Sequence, residues 1–249
     1  MPTPFMHLAL AQRLHHDPTL PDEMHELLDG VWGAFLLGSI APDARVSTGI
    51  ARAETHFYEY RPRLEPPPVI EMLRRYPELR RDSLHDPEHV SFIAGYVGHL
   101  QMDQVWCEQM LFPYFVMRSH SADDSQHHMM RIFHILMAHL DQRDRDNLAP
   151  DNYDVLCQTI PNRWLRFISD PDLCGWRDIV ASQLAPGAQS RSFEILGKAA
   201  GMSPNELRWA VDHQLDQVWM QVSPEVLNAI ETEMFIQARA AVIHYLTGV

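Results

Sequence analysis

The chain has 249 residues, of which 46% are hydrophobic and 21% charged, so it can bury a sizeable core and is not a disordered polymer. Its 33 acidic residues against 20 Lys and Arg give a formal net charge of −13, which argues against nucleic acid as the main partner and disfavours anionic membrane surfaces. No apolar stretch is long enough to cross a bilayer, and residues 1–17 lack the pattern of a signal peptide, so we expect a cytoplasmic protein without a transmembrane segment.

Helical periodicity dominates the first part of the chain. Apolar residues at intervals of three and four predict helices over residues 4–16, 22–38, 69–76, 86–116 and 123–143. Pro18 and Pro21 separate the first two, and Pro42 is expected to leave Asp43 projecting from a loop. Residues 44–68 are irregular, which predicts a long, ordered loop with at most a short helix.

The second part of the chain also has the pattern of helices. Short helices are predicted over residues 153–158, 161–168 and 172–184, followed by a linker at 187–192. Ser203 begins a capping box, and Ser223 precedes a proline at a first helical position, so a helix is predicted after each. Because no alternating β pattern occurs, we predict an all-α protein with a helical core over 1–186 and C-terminal helices over 187–249 packed on the same domain.

The numbers and positions of the cysteines and histidines limit the kinds of functional site that the chain can have. Three scattered cysteines, Cys107, Cys157 and Cys174, exclude a disulfide framework and a structural zinc knuckle. Fifteen histidines are many for a chain with only 20 Lys and Arg, and histidine is the commonest metal ligand. The positions of the histidines are therefore the first place to look for a functional site.

An apolar helix carries the strongest candidate pair. His99 and Asp103 are one helical turn apart, so both side chains lie on one face and can reach one metal ion or each other. A buried carboxylate is costly unless it is paired or coordinates a metal, so this pair requires partners from other segments. His7, Asp43 and His56 are the candidates, since carboxylates and imidazoles from several helices form the usual divalent sites of helical bundles.

The order of these residues resembles a known family. An early histidine, a Gly-x-x-x-Pro-Asp turn, a Thr-His-Phe element and an AGYxxHxxxD helix occur in the zinc-dependent phospholipase C family. This chain has them in the same order, over roughly its first half, at His7, Gly38–Asp43, Thr55–Phe57 and Ala94–Asp103. The resemblance implies a single-domain multi-helix bundle of the phospholipase C and single-strand nuclease type, with additional C-terminal helices.

The resemblance also implies a site and an activity. Zinc ligands would fall on His7, Asp43, His56, His99 and Asp103. The implied function is metal-dependent hydrolysis of a small or lipid phosphodiester or monoester by metal-activated water. Asp43 would then be a ligand or the catalytic base that takes the proton from water.

The chain departs from the family after Asp103. Family members usually continue with another histidine and a His-x-x-x-Glu pair, which complete a further zinc site, whereas Cys107 and Glu108 follow here. A third ion would need ligands such as Cys107, Glu108 or His128. We therefore expect one or two ions per chain, zinc or another divalent metal.

Two other interpretations remain open. In the first, His99 and Asp103 form a satisfied buried hydrogen bond, and the chain is a catalytically degenerate helical metal-binding or protein-interaction module with adaptable Met-rich helices. In the second, the site is a carboxylate-rich di-iron or phosphatase-type centre. The usual Glu-x-x-His or His-Asp signature of that second class has no suitable helical position, since His15–Asp17 and His85–Asp86 lie at a helix end and in a turn.

Overall fold

Helices account for all the regular secondary structure in residues 2–117 and 123–248, the part of the chain that the computed structural model describes; for residues 123–126 the description covers the backbone alone. The predicted all-α class is thereby confirmed. The α-helices are α1 (Pro4–His15), α2 (Asp22–Gly30), α3 (Trp32–Ile40), α4 (Arg45–Thr48), α5 (Arg52–Thr55), α6 (Pro68–Arg75), α7 (Pro87–Trp106), α8 (Asp123–Asp146), α9 (Asn152–Gln158), α10 (Asp170–Ala181), α11 (Ser192–Ala200), α12 (Pro204–His213), α13 (Leu215–Gln221) and α14 (Pro224–Thr247). Short 3-10 turns occupy Ala41–Ala44, Pro77–Leu79 and Arg81–Ser83.

Helix α7 is the central element. Its first turn is set by Asp86, whose side chain accepts a hydrogen bond from the backbone N–H of Glu88 at 3.2 Å, with Pro87 at the first helical position. The predicted continuation to residue 116 changes character after Trp106, because Cys107–Val116 is π-helical. Pro113 lies inside that segment, and a proline cannot supply the N–H that a regular α-helical ladder needs.

Helices α3 and α14 pack along α7. Gly38 of α3 faces the backbone of Phe92, and Gly95 of α7 faces the carbonyl oxygen of Phe35, at distances that leave no room for a Cβ atom at either glycine. The two backbones therefore approach each other more closely than larger residues would allow. This close crossing brings the carboxyl end of α3 next to the middle of α7.

Several predicted boundaries are wrong. The helix predicted over 22–38 is two helices, because Val31 leaves the helical region at φ −140° and ψ 38°, directly after the poor helix former Gly30. No helix forms over 161–168, where Arg163 adopts a left-handed φ of 54°. The predicted linker at 187–192 ends where α11 begins, and the sequence pattern did not indicate that helix.

The region around the predicted long loop is more regular than its sequence indicates. Residues 44–68 contain the two one-turn helices α4 and α5. Asp43 does not project from a loop: it belongs to the 3-10 turn Ala41–Ala44 and is only 9% exposed. Pro42 lies in the first turn of this 3-10 segment, and Ala41 before it keeps helical angles of φ −58° and ψ −38°, so the chain passes from α3 directly into the turn.

The C-terminal helices begin as their caps predict. Ser203 and Glu206 form the capping box of α12, and the Ser223 side chain caps α14. The apolar stripe predicted to run through one helix breaks at Gln214, which separates α12 from α13. Helix α14 contributes Val242 and Leu227 to two different apolar clusters, while the domain boundary between residues 186 and 187 stays a prediction.

Membrane insertion has no candidate among these helices. In residues 2–117 and 123–248, every helix is too short or too polar to span a bilayer.

Candidate metal centre

Five side chains predicted to bind metal meet in the interior. They come from α1, from the 3-10 turn after α3, from the end of α5 and from α7, and they are His7, Asp43, His56, His99 and Asp103. Each is at most 9% exposed. Their donor atoms form two overlapping groups, His7–His99–Asp103 and Asp43–His56–His99, within which all atoms lie within 4.8 Å of one another.

His99 is at the centre of the cluster, and α3 fixes its orientation. Its Nδ1 lies 2.8 Å from the carbonyl oxygen of Ser39, the residue that the glycine crossing brings next to α7. Because a carbonyl only accepts, Nδ1 carries the proton and Nε2 keeps its lone pair. That lone pair points into the cluster, with Nε2 3.4 Å from Nε2 of His56 and 3.9 Å from Asp103 Oδ2.

His7 is stacked against His99 and lacks polar partners. The two imidazole centroids are 3.6 Å apart and the rings are nearly parallel, at 13°. Neither nitrogen of His7 makes a hydrogen bond, and His7 Nε2 lies 3.5 Å from Asp103 Oδ1, which also has no hydrogen-bond partner. Buried polar atoms without partners are costly, so this end of the cluster is suited to a bound group.

His56 and Asp43 complete the other end. His56 Nε2 lies 3.3 Å from Asp43 Oδ1 and 3.5 Å from Asp103 Oδ2, while its Nδ1 is 2.9 Å from Thr55 Oγ1. Two neighbours hold this turn in place: Phe57 has a left-handed φ of 64°, and the hydroxyl of Tyr96 donates to the carbonyl oxygen of Thr55. The fixed turn directs His56 Nε2 toward the other ligand candidates.

Two residues of the cluster were not predicted from the sequence. Arg52 donates to Asp103 Oδ2 at 2.5 Å, and Tyr58 donates to the same oxygen at 3.0 Å. Arg52 also donates to the Tyr58 hydroxyl and lies over the rings of Tyr58 and Tyr60. The only signal in the sequence was that Arg52 lies four residues before His56 and Tyr58 two residues after it. Their closeness to a candidate ligand could have suggested that they pair with the buried carboxylate of Asp103.

The electrostatics favour anionic carboxylates and neutral imidazoles. Burial opposes ionisation of Asp103, but contact with His7 and the charge of Arg52 hold its pKa well below its ordinary value. Burial, followed by the neighbouring His7, lowers the pKa of His99 to about 3, and burial together with the charge of Arg52 lowers the pKa of His56. Neutral imidazoles and ionised carboxylates are the forms that bind metal ions.

The spacing of the donors fits a divalent ion. Zinc bonds of 2.0–2.1 Å at tetrahedral angles place neighbouring ligand atoms about 3.3 Å apart. His56 Nε2 is 3.3 Å from Asp43, 3.4 Å from His99 and 3.5 Å from Asp103. These short separations, together with the unsatisfied atoms of His7 and Asp103, fit a metal ion.

The supply of free nitrogens limits how many ions can be fully ligated. His99 has one nitrogen available, because Ser39 occupies the other, and both groups of donors include it. Asp103 can bridge, since Oδ1 faces His7 and Oδ2 faces His56. One ion could bind Asp43, His56 and His99, which form one donor group, whereas an ion between His7 and Asp103 would have to share His99 with it.

The remaining ligand candidates lie outside both donor groups. Glu108 accepts hydrogen bonds from the backbone N–H of Leu64 at 2.8 Å and from Gln104 at 3.3 Å. Cys107 is buried, and its Sγ lies 3.5 Å from the carbonyl oxygen of Arg61. His128 is exposed on α8. The structure does not bring these three residues to the cluster, so they do not complete a site for a further ion.

A cavity of about 290 Å³ opens beside the cluster. Asp43 and Arg52 line it, so they belong both to the cluster and to the cavity wall. Arg45, Tyr60 and Asp141 also line it, together with apolar side chains. The cavity gives a small molecule a route to the buried donors.

Comparison of the chain with protein-family models, with curated proteins and with solved structures finds no match.

Proposed function

We propose that the protein is a metal-dependent phosphoester hydrolase that resembles the zinc-dependent phospholipase C family in its site and in its helical fold type. The observation that carries this proposal is the convergence of His7, Asp43, His56, His99 and Asp103, five residues from four distant segments, around unsatisfied donor atoms. Those are the residues on which the sequence resemblance implied the ligands. Their meeting in space was not built into the motif spacing.

One zinc or similar divalent ion is proposed to bind Asp43, His56, His99 and Asp103. Zinc is favoured because imidazole nitrogens and carboxylate oxygens are donors it prefers. When bound, such an ion supplies Lewis-acid activation of water and of a phosphoryl oxygen. His7 and Asp103 Oδ1 would be the remaining donors for a second ion.

The protein side chains have separate roles in this proposal. The Ser39 carbonyl and Thr55 hold the imidazoles of His99 and His56 in the orientation that leaves Nε2 free, as outer partners of metal ligands usually do. Arg52 keeps Asp103 ionised and, because it also lines the cavity, can neutralise charge on a phosphate. Asp43 is at the boundary between cluster and cavity, where a carboxylate can accept a proton from water.

Metal analysis and a substrate panel test the proposal. Protein expressed with zinc, manganese and iron supplied is expected to retain close to one equivalent of zinc. The loaded protein should hydrolyse at least one member of a panel of phosphomonoesters, phosphodiesters and short-chain phosphatidylcholine. Absence of every metal after supply would refute the metal centre, and bound metal without hydrolysis of any panel member would refute the hydrolase.

The pairing of Arg52 with Asp103 favours a second candidate. A guanidinium 2.5 Å from Asp103 Oδ2 already supplies a positive charge to this carboxylate. A helical module that has lost its metal, with Arg52 as the remaining cation, would keep the same hydrogen bonds. The metal content distinguishes the two, since this candidate requires a chain that folds normally and binds no ion.

A further inference from the structure

Arg45 is an unpaired cation in the wall of the cavity. Its Nε is buried and makes no hydrogen bond, and its guanidinium forms no ion pair with any side chain in the part of the chain that the structure describes. The residue is half-buried, and a buried donor atom without a partner is costly, so an anion is the expected complement. In a chain with a net charge of −13, carboxylates are abundant, so an arginine without a carboxylate partner is unexpected.

We propose that the cavity binds a phosphomonoester with an apolar substituent, its phosphate held between Arg45 and Arg52 and its apolar group against the opposite wall. The inference rests on the proposed function, and it specifies the substrate class of the same site. It separates this chain from an enzyme for zwitterionic diesters, because two guanidinium groups favour a dianion.

The phosphate end is defined by the two arginines. Arg52 uses one terminal nitrogen for Asp103 and Tyr58, and its Nε has no partner. Arg45 uses none of its donors on described protein atoms. Guanidinium groups bind phosphate through two parallel hydrogen bonds, so two arginines on one cavity match the several acceptors of a phosphate.

The apolar end is formed mainly by α10 and α11. Trp176 is buried, with its Nε1 donating to the carbonyl oxygen of Ile40 at 2.8 Å, so only the ring is left to contact a ligand. Ile195 and Leu196 of α11 and Phe5 of α1 line the same space. Val46, next to Arg45 in sequence, also lines the cavity and is 50% exposed.

Two carboxylates moderate the charge of the cavity. They are Asp43 and Asp141, and Asp141 accepts a hydrogen bond from the Ser192 hydroxyl. In the metal-free protein, the negative charges of these two carboxylates offset the positive charges of the two arginines. An ion bound to Asp43 would remove that offset, so the phosphate should bind more tightly to the metal-loaded form.

Calorimetric titration with hexyl phosphate tests the site directly. We expect binding to the metal-loaded protein and weaker binding after chelation. Arg45→Gln should lower the affinity roughly tenfold to a hundredfold, as expected when a charge-assisted hydrogen bond is removed, without changing the urea midpoint, since Arg45 makes no bond to described residues. The control Arg80→Gln changes an exposed arginine that is not part of the cavity and should leave the affinity unaltered.

The apolar end has a matched test of its own. Ile195→Thr should weaken hexyl phosphate binding by about fourfold for each methylene group of the ligand that is no longer covered by the side chain, and should leave inorganic phosphate binding unaffected. Ile236→Thr alters an isoleucine that is 50% exposed on α14, away from the cavity, and should change the affinity for neither ligand. Equal effects of the two threonine variants would contradict the apolar subsite.

Binding of further ligands identifies the chemical class of the substrate and shows whether it is a lipid or a soluble ester. Hexanoate or hexylphosphocholine binding as tightly as hexyl phosphate would overturn the preference for a dianionic phosphate. Vesicles of phosphatidylcholine doped with phosphatidic acid separate a lipid source from a soluble ester: binding to both vesicles and hexyl phosphate supports a lipid monoester, and binding to hexyl phosphate alone supports a soluble one. Binding to vesicles alone would contradict the cavity assignment.

The failure of this inference is distinguishable from failure of the proposed function. If the protein binds no metal but Arg45→Gln still weakens hexyl phosphate binding, the anion site stands and the hydrolase does not. If metal binds and phosphoesters are hydrolysed while Arg45→Gln and wild type bind hexyl phosphate equally, the hydrolase stands and this assignment is wrong. Absence of hexyl phosphate binding in both metal states overturns it as well.

Discussion

Helices α7 and α8 both carry buried or partly buried histidines, yet among the side chains that the structure describes only those of α7 belong to a candidate metal site. His99 of α7 donates its Nδ1 proton to Ser39, 60 positions away in sequence, so Nε2 is held toward the carboxylates of other segments. His134 of α8 donates Nδ1 to the carbonyl oxygen of Met130 in its own helix, at 2.6 Å. His139 contacts the edge of the Trp219 ring and belongs to neither donor group.

The difference lies in where each imidazole finds its outer partner. A carbonyl on another helix fixes the ring across an interface, whereas a carbonyl four residues earlier turns the ring back along its own helix. Asp141 and Asp144 of α8 face a hydroxyl and a guanidinium instead, since Asp141 Oδ2 accepts from Ser192 and Asp144 accepts from Arg143 at 2.8 Å. Burial of a histidine is thus not enough to make a ligand; an interface partner and free carboxylate oxygens are required as well.

Removing the carboxylate of α7 should have the largest effect. Asp103→Asn is expected to abolish metal binding and to lower the free energy of unfolding by about 3–5 kcal/mol, because it leaves Arg52 buried without its counter-charge. Metal content and urea denaturation measure the two effects. His139→Asn on α8 is the control and should leave metal content unchanged; equal metal content in wild type and Asp103→Asn would contradict the ligand assignment.

Separating α7 from α3 should disturb the site without touching a ligand. Gly95→Ala adds a methyl group that collides with the Phe35 carbonyl oxygen, so the variant should lose about 3 kcal/mol of stability and bind metal more weakly as Ser39 moves from His99. Gly175→Ala, in α10, meets no atom within 4 Å and should gain about 0.5–1 kcal/mol. If both alanine variants behaved alike in urea denaturation and metal binding, the close crossing would not position His99.

Removing a carboxylate from helix α8 should raise the stability of the protein, whereas removing one from α7 should lower it. Burial raises the pKa of Asp141 to about 6, above its ordinary value, so the folded state retains a proton that the unfolded chain releases. Its contribution to stability is present at low pH and is lost as pH rises from about 4 through 6. Asp141→Asn should therefore be more stable than wild type by roughly 2 kcal/mol at pH 8.

The control for this prediction is how the difference in stability between Asp141→Asn and wild type changes with pH. As pH falls from 6 toward 4 the carboxyl becomes protonated in the folded state and then in the unfolded state, so the gain over wild type should shrink steadily and vanish well below pH 4. Denaturation of both proteins from pH 4 to 8 measures this difference in stability. Buried His99 has the opposite pH trend, because its lowered pKa makes stability fall as pH decreases below 6.5, but it is present in both proteins, so subtracting one free energy of unfolding from the other removes its effect. A difference that is constant with pH would show that Asp141 does not titrate as its burial implies.

The sequence predicted those parts of the molecule that depend on local signals. The capping box at Ser203 and the apolar period of α7 are local, and the structure has both elements. The break at Val31 and the left-handed Arg163 within 161–168 are backbone features that apolar periodicity does not report, so periodicity alone missed them.

For the candidate site, the donor types and the turn spacing of His99 and Asp103 were readable from the chain. The pairing of Arg52 and Tyr58 with Asp103 was not, because it joins residues 51 and 45 positions apart. The unpaired state of Arg45 is likewise a property of the folded cavity. Long-range polar partners are set by packing, and no single-sequence pattern encodes them.

The most direct test of the account is the zinc content of wild type, His99→Gln and His134→Gln after expression in zinc-supplemented medium and exhaustive dialysis. We predict close to one equivalent in wild type and in His134→Gln, and almost none in His99→Gln, because His99 belongs to both donor groups whereas His134 belongs to neither. Equal zinc in all three proteins, or loss of zinc in His134→Gln alone, would contradict the central claim that α7 carries the metal centre.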